Sequence, residues 1–142
     1  MSATGLEMFD KTLQETNIWL NEISEHLGGD KQHAYHALRA TLHALRDRLT
    51  VEEAAHLGAQ FPMMVKGIYM DGWRPGAPPH KERSKDAFLA SIQERLFTVP
   101  LEGRAEDAAR AVFAVLDKHV EEGQIAQVKK MLPDEINSLW PA

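Results

Sequence analysis

A shift of the chain along itself by 71 positions lays "ALRATLHALRDRLTVEEAAHLGAQFPMMVKGIY" (Ala37–Tyr69) on "AARAVFAVLDKHVEEGQIAQVKKMLPDEINSLW" (Ala108–Trp140) without a gap. Identities fall at Ala37/Ala108, Arg39/Arg110, Ala40/Ala111, Leu45/Leu116, Ala55/Ala126 and Pro62/Pro133. The apolar pairs carry more information: Leu42/Phe113, Leu49/Val120, Ala54/Ile125, Leu57/Val128, Phe61/Leu132, Val65/Ile136, Ile68/Leu139 and Tyr69/Trp140. Self-similarity at a long fixed period means that one supersecondary unit is used twice, and a unit of this size cannot bury its apolar stripes alone. The two copies are therefore expected to pack together as one domain.

Each copy reads as helical. Ala34, Leu38, Leu42, Leu45 and Leu49 recur at steps of three and four, which places one apolar stripe along one helix face. Thr50 followed by Glu53 reads as a capping box at the start of the next helix. Pro62 and Pro133 end that helix and suit the opening of another. Upstream, Phe9, Leu13, Ile18, Trp19, Leu20, Ile23 and Leu27 form a leading helix stopped by Gly28-Gly29. Trp19, Ile23 and Leu27 match Phe88, Ile92 and Leu96 at a shift of 69, a two-residue difference in loop length. The expectation is an all-α domain spanning residues 1–142. It comprises two tandem helical repeats of about four helices each: repeat one over about 8–73, a Gly/Pro-punctuated linker over 74–84, and repeat two over about 85–140.

The succession "LRDRL…EEAAHL…QFP…GIY…GWRP", with the later "AARAVFAVLDKHVEEGQIAQVKKMLPDEINSLW", resembles the bacterial domain of unknown function family numbered 2267. The resemblance runs from about Phe9 to Trp140 and implies a small, all-helical, intracellular bacterial protein with no established activity. It assigns no catalytic residue. The family pattern often has leucine near Phe61 and arginine near Lys66, departures that leave the fold expectation intact.

Composition narrows the chemistry. There is no cysteine, which removes disulfides, thiolate metal sites and cysteine nucleophiles, and a cytoplasmic setting is the simplest reading. No apolar run approaches the roughly 18 residues of a membrane span, and the start "MSATGLEMFDK" lacks the pattern of a signal peptide. The formal net charge of -5 argues against nucleic acid, whose binders neutralise phosphate with a basic face. The one basic cluster, Arg74, Lys81, Arg83 and Lys85, falls in and at the end of the Pro/Gly-rich stretch "RPGAPPHKERSK".

Catalytic patterns are not found: no Gly-x-Ser-x-Gly elbow, no glycine-rich phosphate loop, and adjacent acids that point around helices rather than at one another. An enzyme is therefore not the expected reading, and no cofactor is expected. Among seven histidines, His33, His36 and His43 share a helix face. His33 and His36 are weak metal candidates, while His43 lies about 10 Å further along and His26 is only near in sequence. Their counterparts are Arg104, Asp107 and Ala114. Glu53-x-x-His56 has the form of half a di-metal motif, but Gln124 and Gln127 stand at the matched positions. Arg39 and Arg110 are retained in both copies, as a paired anion site or as ties to a neighbouring carboxylate or helix end.

One segment departs from the repeat. In "FPMMVKGIYMDGW", Val65, Ile68 and Tyr69 match core positions, but Met63 and Met64 match Asp134 and Glu135. The fold does not require apolar side chains there. Either the leading helix or the linker covers them, or they lie exposed at a partner surface. The expected function is a non-enzymatic interaction or self-associating module that uses Met63, Met64, Met70 and Trp73. The alternative is a small-ligand or metal-binding protein with a pocket between the repeats near His33, His36 and Trp73.

Overall fold

The structure, a computed structural model, describes residues 3–76, 82–96 and 104–142. Among them are eight helices and no strand: α1 (Glu7–Leu27), α2 (Lys31–Arg46), α3 (Val51–Gly58), α4 (Met63–Met70), α5 (Lys85–Glu94), α6 (Ala105–His119), α7 (Glu122–Met131) and α8 (Asp134–Asn137). The all-α expectation holds. Residues 77–81 of the Pro/Gly-rich linker expected over 74–84, Lys81 among them, lie outside the described residues.

The helix boundaries follow local chemistry. Gly28 and Gly29 close α1 with φ near 80°, where a side chain is strained. Asp30 opens α2: its carboxylate accepts from the His33 amide, and His33 Nδ1 accepts from the Asp30 amide. The sequence does not announce this reciprocal cap, because histidine replaces the usual Glu or Gln. At α3, Thr50 Oγ1 accepts from the Glu53 amide as expected. The Glu53 carboxylate does not turn back to complete a box; it accepts from Gln124 Nε2 on α7. Pro62 and Pro133 stand immediately before α4 and α8.

The core is built on α2 and α6, which pack on each other and carry buried alanines (Ala37, Ala40, Ala44, Ala108, Ala111) beside Leu38, Leu42, Leu45, Phe113 and Leu116. Small side chains along two facing helices allow close approach, and the larger ones fill the flanks. α1 and α5 both lie against this pair; α4 runs along α1 and α2, α8 touches α5, and α3 packs on α7. Trp19, Ile23 and Leu27 on α1 are buried, as are Phe88, Ile92 and Leu96. An aromatic chain links Trp19, Phe61 and Tyr69 edge to face in the first half. In the second, Phe113 stacks on Trp140, with ring centroids 4.2 Å apart.

Candidate functional site

The short helix α4 divides the four candidate interface residues into two pairs. Val65 and Tyr69 are buried, and the Tyr69 hydroxyl donates to the Ala54 carbonyl at 2.8 Å. Met70 and Trp73 are partly buried and pack against the core; a β-carbon at Gly58 would stand 2.9 Å from the Met70 methyl. Met63 and Met64 are 53% and 38% exposed. The leading helix meets α4 without covering these two: the Met64 amide donates to Thr12 Oγ1 at 2.8 Å, tying the open first turn of α4 to α1.

A groove of about 320 Å³ runs between the two helices, lined by Met8, Lys11, Thr12, Glu15, Pro62 and Met63. Thr12 forms part of its buried wall, while Met8 is 56% exposed. Phe9 and Leu6 are exposed on the first turn of α1 and just before it. Five large apolar side chains (Leu6, Met8, Phe9, Met63, Met64) thus stand in water on the α1 start and the α4 start. Sequence reasoning found the α4 pair through the repeat. It missed the α1 contribution, since Phe9 fits the buried stripe and only the structure shows that α1 overshoots the core. A second cavity, of about 570 Å³, lies at Arg110, Ala114 and Asn137 to Ala142.

The other end of α4 is held by polar side chains of α2. His43 Nε2–H donates to the Ile68 carbonyl at 2.8 Å, and Arg46 donates to the carbonyls of Tyr69 and Asp71 at 2.8 and 3.0 Å. Arg39 pairs with the Asp71 carboxylate at 3.1 Å. Three residues on one face of α2 therefore satisfy the carbonyls that end α4 and the carboxylate just beyond. Burial pulls the His43 pKa below its ordinary value, and the nearby Arg46 and Arg39 reinforce this, so the ring is the neutral Nε2–H form. Burial likewise drives the Tyr69 phenol upward, keeping it protonated as a donor. Arg110 donates to the Ser138 carbonyl at 3.2 Å and pairs with Glu106. Both retained arginines thus serve as ties to a helix end or carboxylate.

The histidine candidates do not converge. His33 Nδ1 is taken up by the α2 cap, His36 lies edge-on to Tyr35, and His43 is buried against α4. His56 is exposed, and its partner Glu53 is engaged with Gln124. Among the described residues no three His, Asp or Glu side chains are grouped to hold a metal ion. Among the same residues no helix is long and apolar enough to cross a membrane.

The chain matches over residues 16–139 the family model described as an uncharacterized conserved protein, DUF2267, and it belongs to that family. No curated protein matches it. The match begins at Thr16, so Met8, Lys11, Thr12 and Glu15 precede it, while Met63 and Met64 lie within it.

Proposed function

We propose, with membership of that family as the premise, that the chain is a non-enzymatic, cytoplasmic helical interaction module whose docking face is the apolar patch on the starts of α1 and α4. The observation that carries this reading is the exposure of Met8 and Met63 on a groove open to solvent, with exposed Met64 next to Met63 on α4. Exposed apolar groups gathered around one concavity are uncommon on a monomer and mark contact surfaces, and methionine adapts its shape to a partner. The wider set expected from the sequence contracts, since Met70 and Trp73 are held against the core.

The same reading takes the chain as a tandem of two four-helix units. It is supported by the contacts across the middle of the molecule: α2 on α6, α3 on α7, and Glu53 bonded to Gln124, its counterpart at the 71-residue shift. Contact between equivalent positions is what a two-fold relation produces near its axis. The ligand-pocket alternative has less support, because His33 is spent on a helix cap and Trp73 on packing.

Site-specific photo-crosslinking tests the docking face. A benzophenone-bearing residue at position 63 of the full chain, produced in cells, is expected to form protein adducts. The same residue at exposed Glu121 is the control. Adducts at position 63 no more abundant than at 121 would contradict the proposal.

A further inference from the structure

Met8, Lys11 and Glu15 line the α1 side of the groove, and Ile18 continues the same stripe along α1 beyond it. Their spacing of three, four and three keeps them within about 80° of arc, the pattern of a coiled-coil seam. Met8 and Ile18 are 56% and 43% exposed, and the Lys11 side chain is 76% exposed. Large apolar side chains therefore stand at both ends of the stripe, with one cation and one anion between them. Within the chain Lys11 and Glu15 are 3.9 Å apart, a loose surface pair that adds little to the fold.

That order is self-complementary. When two copies of α1 lie antiparallel about a two-fold axis between Lys11 and Glu15, each Met8 meets the Ile18 of the other copy. Each Lys11 then meets the other copy's Glu15. A two-fold contact requires that if residue i touches j, then j touches i, and this stripe satisfies the condition in both shape and charge. The overlap ends at Ile18, one turn before Glu22, which is held by Lys118 and His119. A partner of uniform charge, or one apolar throughout, would leave Lys11 or Glu15 opposed by nothing.

We infer that the occupant of the docking face is a second copy of this chain, joined through antiparallel α1 helices with Met63 flanking the seam. This rests on the reading of the α1–α4 patch as a docking face and names its partner. The contact is small, so association is expected to be weak and reversible.

A mixing experiment with the full chain separates contact between copies from the pairing within one. Lys11→Glu presents two acids on the stripe and Glu15→Lys presents two bases, so neither variant can re-form the pair in its own chain. By sedimentation equilibrium at about 0.15 M salt, each variant alone is expected to dimerise about tenfold or more weakly than the natural chain. An equimolar mixture is expected to recover dimers containing one copy of each. Met8→Glu, at an exposed position, is expected to weaken every combination. Thermal melts of all three variants are expected to match the natural chain, which separates lost association from lost folding. A natural chain that stays monomeric at the highest concentration reached would overturn the inference. So would a dimer indifferent to the charge changes, or a mixture no more associated than its components. A position-63 adduct containing only a different protein would overturn self-association while leaving the docking face standing.

Discussion

The first turns of α4 and α8 occupy matching places in the 71-residue shift, and both are exposed, yet they meet water differently. Met63 and Met64 open α4, whereas Asp134 and Glu135 open α8. At α8 the acids suit a helix start, and Glu135 also accepts from the Lys85 amide at the beginning of α5. At α4 the neighbouring helix α1 begins about two and a half turns earlier than α5 does in the aligned halves, and its Thr12 takes the Met64 amide instead. The apolar exchange on α4 and the extra turns of α1 lie side by side and form one groove. The apolar core partners agree, Tyr69 with Trp140 and Ile23 with Ile92, whereas the halves differ at this surface and at the buried polar residues His43 and Arg46, which stand opposite Ala114 and Asp117.

The largest effect is expected where the halves agree. Tyr69→Ala and Trp140→Ala each empty a buried aromatic site and are expected to cost about 3–5 kcal/mol, read from denaturant unfolding. A large cost in one half and a negligible one in the other would break the equivalence. The ties to the α4 and α8 ends are expected to diverge. Arg46→Ala strips two carbonyls and Asp47 of a buried partner, at about 2–3 kcal/mol. Arg110→Ala removes an exposed tie and is expected to cost under about 1 kcal/mol.

His43 has Ala114 as its counterpart, so the pH dependence it brings has no equivalent at the matched position of the second half. Its folded pKa lies below the ordinary 6.5, so the unfolded chain takes up the proton first as pH falls. The stability that depends on a neutral ring is whole above about pH 6.5 and declines as pH drops through that value toward the folded pKa. Urea midpoints between pH 7.5 and 5 are expected to fall more steeply for the natural chain than for His43→Gln. Parallel curves would mean that another group carries the slope.

Much of the helix layout is legible in the sequence. Steps of three and four, Gly28-Gly29 and the two prolines fix where helices run and stop, because they act within a turn or two of chain. Glu53 departs from expectation for the same reason: its local pattern fits a capping box, but its partner Gln124 is distant in sequence and brought near by packing. Residue type alone makes His33 a metal candidate, whereas an imidazole nitrogen serves equally well as a cap acceptor. For Met63 and Met64 the 71-residue shift sets acids, Asp134 and Glu135, at the matched positions, which points to a place where apolar side chains are not demanded. Whether α1 hides them depends on its length beyond the core, which periodicity does not report.

The smallest expected effect on folding tests the central claim most directly. Met63→Glu/Met64→Glu converts the start of α4 to the acidic character of α8. Because both side chains face water, the double variant is expected to unfold within about 0.5 kcal/mol of the natural chain. Light scattering after size-exclusion chromatography at high concentration is expected to show the natural chain partly dimeric and this variant monomeric. Equal association of the two chains, or a loss of several kcal/mol of stability, would contradict the account of this patch as a docking face.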